Sequence, residues 1–284
     1  WLWQSWTAAY DEAGARAIAE AHLAEPPLDL TLRDPATAAD WATRLGGQAL
    51  PGGTLRLTGA GAVPELAGFA EGAWWIQDRA ATLPARLLGG VAGQRIVDLC
   101  AAPGGKTLQL AAAGARVMAV EASEQRLQRV TENLARTGLQ AETVAADGRV
   151  WRPDTPVDAV LLDAPCSGTG AIRRHPDIQR IKGPEDPVRM AAVQDALLDA
   201  AIQMVRPGGR IVFCTCSLQP EEGPDRIAAL LARGAPVRRI PIAAGELPGL
   251  AEAATAEGDL RTLPGMAAAE GGLDGFYAVR LERL

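Results

Sequence analysis

Short apolar runs alternate with amphipathic stretches along most of this chain of 284 residues. From about residue 71 the runs are RIVDL (95–99), RVMAVE (116–121), AETVAAD (141–147), VDAVLLD (157–163) and RIVFC (210–214). Runs of this kind are expected of parallel strands buried on both faces. Between them apolar residues recur at steps of three and four. The stretch 124–137 places Leu127, Val130 and Leu134 on one face, with Ser123 as N-cap and Gly138 as the stop. A second helix is expected to carry Pro187 in its first turn and Met190, Val193, Leu197, Ala201 and Met204 inward. It should end before Pro207-Gly208-Gly209. Repeated strand–helix units predict an α/β fold with a doubly wound, Rossmann-like sheet, here assigned to residues 71–284.

Residues 1–70 have a different rhythm. Trp6, Tyr10, Ala13, Ala17 and Ala21 mark one face of a helix ending before Pro26-Pro27. LDLTL (28–32) and GTLRLTG (53–59) read as strands, with ATAADWATRL (36–45) as a helix between them. This predicts a small α+β unit, too short to be an enzyme alone. No apolar run is long enough to span a bilayer, and the start does not read as a signal peptide, so a cytoplasmic protein without a membrane partner is expected. The chain begins with Trp1 rather than Met, which suggests an upstream segment. Four cysteines make no disulfide framework and point to a reducing compartment. The net charge of -6 argues mildly against nucleic acid, although a local basic patch suffices for that partner.

Ligands of doubly wound sheets bind at the carboxyl ends of the strands. Those ends carry Cys100 with AAPGGK, Glu121, Asp147, Asp163 with APCSGTG, and Thr215-Cys216-Ser217. Gly104 and Gly105 let the first loop turn sharply and approach a ligand. Glu121 suits the two hydroxyls of a ribose, and Asp147 an adenine edge. The loop lacks the G-x-G-x-x-G of pyrophosphate binders, so a nucleoside without phosphates fits better, and S-adenosylmethionine is the natural candidate. Cys166, in DAPC, suggests attack on a ring rather than methylation of an amine, because carbon 5 of cytosine becomes nucleophilic only after a thiolate adds to carbon 6. Cys214 and Cys216 share a strand face. Cys214 lies within the apolar run and reads as packing, whereas Cys216 at the rim reads as a reactive thiol, with Thr215 and Ser217 as hydrogen-bond partners. Residue chemistry alone does not rank Cys216 above Cys166. C-x-C lacks metal-ligand spacing and His22 and His175 form no paired motif, so no metal is expected. Arg173, Arg174, Arg180 and Lys182, in AIRRHPDIQRIK (171–182), are candidates for polynucleotide phosphates.

The set DLCAAPGGKT, DAPCSGTGAIRRHPDI and TCSLQPEE resembles the Nop/Sun family of RNA (cytosine-5)-methyltransferases, nearest the bacterial Sun/RsmB type that modifies ribosomal RNA. The likeness runs from about Trp75 to the end and more loosely over residues 1–70. It implies a class I methyltransferase sheet of seven strands, the last one antiparallel and formed by 276–283. It implies Cys216 as nucleophile, Cys166 as the thiol that helps release product, and Asp163 as a hydrogen-bond partner of cytosine nitrogen 3. Cys100, Ala101, Ala102, Pro103, Gly104, Gly105, Lys106, Glu121, Asp147 and Asp163 match the cofactor-binding positions. The first unit is then expected to contact RNA, and the protein to act as a monomer. Members of the family usually carry a further helical RNA-binding domain ahead of this point, so a truncated chain or a shorter relative is expected. A catalytically silent RNA-binding assembly factor on the same fold is the alternative. A nicotinamide-dependent dehydrogenase is disfavoured by the glycine pattern and the thiols.

Overall fold

The computed structural model describes residues 1–284. It opens with helix α1 (Leu2–Leu23), whose regular geometry breaks at Asp11 (φ 59°, ψ 179°). The Asp11 carboxylate accepts from Gly14 N at 2.9 Å and starts the helix afresh. That restart rotates the buried face. Trp6, Ala15 and Ile18 are buried while Ala13 and Ala17 are not. The expected face of Ala13, Ala17 and Ala21 assumed one uninterrupted period and is corrected accordingly.

Next come β1 (Leu28–Leu32), α2 (Ala38–Leu45), β2 (Gln48–Ala49), β3 (Thr54–Leu57) and β4 (Trp74–Ile76). The strands form an antiparallel sheet in the order β2-β3-β1-β4. Leu30, Leu32, Leu55, Leu57 and Trp74 form its small core. The closing strand β4 lies beyond residue 70, so this sheet reaches further along the chain than the 1–70 unit.

The second sheet is built from β5 (Arg95–Leu99), β6 (Arg116–Glu121), β7 (Glu142–Ala145), β8 (Val157–Asp163), β9 (Val205–Thr215), β10 (Val237–Arg239), β11 (Leu260–Thr262) and β12 (Phe276–Arg283). Their order is β10-β12-β9-β8-β5-β6-β7, with β11 paired to β12. The run from β7 to β9 is parallel and β12 is antiparallel, the class I methyltransferase arrangement. Helices α3 (Arg79–Arg86), α4 (Gly105–Ala112), α5 (Glu124–Thr137), α6 (Ile178–Ile181), α7 (Glu185–Met204) and α8 (Pro224–Ala232) complete the molecule. No helix is long and apolar enough to cross a membrane.

Successive strand residues enter opposite cores, as the two-residue period of a strand requires. Ile96, Leu161, Val212 and Ala278 join one apolar cluster, and Val97, Val160, Leu162, Ile211, Phe213 and Val279 the other. Two local expectations are corrected. β7 is an edge strand with mostly exposed residues, so its run is not buried on both faces. β9 begins at Val205 rather than Arg210, because residues 206–209 bulge out between the pairs Val157–Val205 and Ala159–Arg210 and carry Pro207-Gly208-Gly209 with them. The chain order leaves β5 in one direction towards β6 and on the other side next to β8. That reversal opens a crevice at the carboxyl ends of β5 and β8.

Candidate active site

The loops at the ends of β5, β6, β7, β8 and β9 converge on a cavity of about 550 Å³. Cys100, Glu121, Asp147, Asp163, Cys166 and Cys216 all line it. Residues from five separate strand ends, spread along the chain from Cys100 to Cys216, therefore share one chamber.

The loop after β5 is shaped by its backbone. Cys100 takes a left-handed conformation (φ 61°), uncommon for a residue with a side chain, and Gly104 (φ 104°) starts α4. A Cβ at Gly104 would sit 3.3 Å from Val130 Cγ1, so the glycine admits close packing of the loop on α5. Ala101 and Ala102 are buried in the same small core as Val130, whereas Pro103 is exposed and its carbonyl accepts from Asn133 Nδ2 at 3.1 Å. Of the loop's expected cofactor positions, Cys100 and Ala102 face the cavity directly. Ala101, Pro103, Gly104 and Gly105 form its frame.

Glu121, at the tip of β6, is buried. Its Oε1 accepts from Ser123 N at 3.1 Å and from Arg126 at 3.4 Å, while Oε2 is buried without a partner. A buried carboxylate oxygen without a donor is costly. A vicinal diol brings the hydrogen-bond donors it lacks, and the apolar wall of Val120, Val193 and Leu197 suits a flat purine. The site thus fits a nucleoside. Asp147 is engaged differently from expectation. Arg149 grips its carboxylate, with Nη2 on Oδ2 at 2.6 Å and the backbone N on Oδ1 at 2.9 Å. These hydrogen bonds hold the Asp147 carboxyl below its usual range. The pair is half open to solvent, where such contacts are weak and exchangeable.

Lys106 is the buried cation of the site. Its Nζ donates to Asp163 Oδ2 at 2.7 Å and stands 4.9 Å from the centre of the Phe276 ring. Burial opposes its charge, but Asp163 and the neighbouring anions outweigh this and push the ammonium above its usual range. The other Asp163 oxygen accepts from the Cys214 thiol at 3.4 Å. Cys214 is fully buried and joins the apolar core, so it packs as expected while also steadying Asp163. Cys166 and Cys216 meet with their sulfurs 3.5 Å apart. The hydrogen bond with Cys216, and after it burial, push the Cys166 thiol well up, so that it keeps its proton at neutral pH.

The basic segment divides. Arg173 is not a free phosphate ligand. Its guanidinium is buried, bonding Asp78 Oδ2 at 2.7 Å and Asp274 Oδ1 at 3.0 Å. The RNA-contact expectation for Arg173 is therefore corrected: two buried carboxylates hold it inside. Arg174 is one-third exposed and lies on Asp274 at 2.5 Å. Arg180 is exposed on α6, and Lys182 stands 4.0 Å from Asp186. Sequence reasoning missed Asp78, Asp274, Gln194 and Glu222, all buried and tied to the site's loops. Glu222 closes the TCSLQPEE motif, but a single acidic letter carries no sign of burial.

Residues 85–282 match the family model described as 16S rRNA methyltransferase RsmB/F. The chain belongs to that family. Among curated relatives, ribosomal RNA small subunit methyltransferase B of Erwinia tasmaniensis is 41% identical over 94% of this chain and 62% of its own length. The protein of the same name from Pseudomonas syringae pv. tomato is 44% identical over 78% of this chain and 50% of its own length. The chain thus spans about half to three-fifths of these relatives. NSun6 from Pyrococcus horikoshii, whose crystal structure was determined with SFG, superposes with a TM-score of 0.82 at 18% identity, covering 99% of this chain and 97% of that one. A methyltransferase homolog from the same organism gives 0.80 at 23% identity, covering 99% and 94%. At these identities the likeness establishes the fold.

Proposed function

We propose that this chain transfers a methyl group from S-adenosylmethionine to carbon 5 of a cytosine in RNA, with ribosomal RNA as the substrate and the cytoplasm as its place of action. The observation that carries this reading is the pair of sulfurs 3.5 Å apart at the rim of a nucleoside-sized cavity, beside the Lys106–Asp163 ion pair. The methyl donor supplies an electrophilic methyl group, and the diol-binding part belongs to Glu121.

Cys216 gives up its proton and forms a bond to carbon 6, while the ring gains a proton at nitrogen 3. Asp163, fixed by Lys106, hydrogen-bonds that edge and stabilises the adduct. Carbon 5 then has the electron density of an enamine carbon and takes the methyl group. Water takes the carbon 5 proton. The electron pair of that bond re-forms the ring double bond and expels the Cys216 sulfur, and the proton on nitrogen 3 returns to that sulfur. Cys166, still protonated, sits beside the departing sulfur and assists that release. Residues 1–70 contribute RNA contact, supported by the exposed Trp3 with the Arg16 guanidinium 5.9 Å from its ring centroid, a surface for base stacking.

Exchanging the thiols tests this. Cys216→Ala should abolish methyl transfer and any covalent enzyme–RNA species. Cys166→Ala should still form the adduct and methylate, but leave a nuclease-sensitive slow band on a denaturing gel. Cys214→Ala should retain methylation. The opposite pattern, adducts trapped by Cys216→Ala and absent in Cys166→Ala, would make DAPC the nucleophile motif. RNA binding by the wild type without any adduct or methylation would favour a silent assembly factor.

A further inference from the structure

Glu222 takes no part in the chemistry above, yet it is 0% exposed and bonded to both thiol-bearing loops. Its Oε1 accepts from Ser167 N at 2.8 Å and from Gln194 Nε2 at 3.4 Å. Its Oε2 accepts from Ser217 Oγ at 2.6 Å and also from Ser167 Oγ. Ser167 directly follows Cys166, and Ser217 directly follows Cys216. The two serine hydroxyls lie 3.2 Å apart, close to the 3.5 Å between the sulfurs. Thr215 Oγ1 donates to the Glu222 carbonyl at 3.0 Å, which fixes the other side of Cys216 to the same residue. One buried carboxylate thus joins the loop after β8 to the loop after β9.

An apolar side chain would fill this space at lower desolvation cost, because a buried carboxylate is tolerable only when donors surround it. Here the donors come from the residues next to the two thiols. We propose that Glu222 is a positioning residue that sets the separation of Cys166 and Cys216, and through it the rates at which the carbon 6 adduct forms and is released. This rests on the roles given above to the two thiols. Displacements of about 1 Å at a reacting atom cost on the order of a hundredfold in rate, so a splayed pair would be read directly in kinetics.

The test uses the full chain with Glu222→Gln, whose amide has one acceptor oxygen where the carboxylate has two. RNA carrying 5-fluorocytosine has no carbon 5 proton to lose after methylation and so accumulates the methylated adduct. With S-adenosylmethionine present, its trapping rate reports attack by Cys216 and methyl transfer without the release step. That rate should fall by about tenfold to a hundredfold, while the Kd for S-adenosylmethionine moves by less than about twofold. Diamide oxidation of free enzyme, which joins neighbouring thiols as a disulfide, should link Cys166 to Cys216 more slowly in the variant, as mapped by mass spectrometry. Ser217→Ala leaves the carboxylate in place but removes one of its donors, along with the hydroxyl's contacts to Ser167, Thr169 and Gln219 N, and decides the matter if Glu222→Gln shows no cooperative thermal transition. A folded variant with wild-type trapping and wild-type cross-linking overturns the proposal. If the wild type traps no RNA while the variant still cross-links slowly, the thiol chemistry is wrong and the positioning role stands.

Discussion

A guanidinium withdrawn from water persists in a fold only when carboxylates meet it, and removing one partner leaves the rest stranded. Arg173 is such a case, 2% exposed between Asp78 and Asp274, which are 1% and 0% exposed. Arg173→Ala should therefore destabilise the protein by about 3–5 kcal/mol, whereas Arg180→Ala, at an exposed position, should change stability by less than about 0.5 kcal/mol. Denaturant midpoints compare the two, and equal effects would return Arg173 to the surface. The sequence showed the two arginines side by side but not their separate fates, because acids about a hundred residues away decide them. Strand-end polar residues were easier to read, since topology alone brings them together. Asp98 makes a second residue-scale case. Burial, with Asp163 and Glu121 adding to it against Thr107 and Lys106, pushes its carboxyl from 3.8 up to about 7. Below the ordinary value both folded and unfolded forms hold the proton, and the contribution to stability is complete. As pH rises towards 7 the unfolded chain ionises first, so stability is lost. Asp98→Asn keeps an acceptor for Thr107 and should remove this fall. Its midpoint relative to wild type should climb between pH 4 and 7, and parallel profiles would contradict the assignment.

Among elements, the first helix is bound to the loop after β9 rather than to the small sheet that follows it in sequence. Tyr10 Oη donates to Leu218 O at 2.6 Å, Ser5 Oγ donates to Gln219 at 2.7 Å, and Trp6 packs with Leu218. Leu218 and Gln219 immediately follow Cys216-Ser217. Tyr10→Phe keeps the ring and deletes the donor, which should cost about 1 kcal/mol. Amide exchange should quicken at residues 217–219 while remaining unchanged in β6. Unchanged exchange at 217–219 would mean that α1 rests on the loop without steadying it. Helix α5 was fully readable from its cap, face and glycine stop, because each signal is local. The break of α1 was not, since it depends on one aspartate adopting a rare backbone angle and capping Gly14. Likewise the edge position of β7 depends on which strands arrive elsewhere in the sheet, and its own letters look like those of a buried strand.

On the scale of the whole molecule, the net charge of -6 repels a polynucleotide, so the RNA binding proposed above has to come from local cations. With Arg173 enclosed and Arg174 held by Asp274, the remaining cations of the segment are Arg180 and Lys182, at the short helix α6 beyond the DAPCSGTG loop. Lys182 lies 4.0 Å from Asp186, too far for a close ion pair, and can turn to a phosphate. Every phosphate of a single strand that a protein cation neutralises steepens the fall of log K with log salt by about 0.7. The double variant Arg180→Ala/Lys182→Ala should therefore flatten that slope by about 1.4 for single-stranded RNA. Its affinity for S-adenosylmethionine should match wild type, because neither residue lines the cavity. Arg174→Ala should contribute a smaller change, since Asp274 already neutralises much of its charge. An unaltered slope in the double variant would leave α6 as a solvated turn and move the phosphate path to the first unit, where Arg16 beside Trp3 would be the next cation to remove.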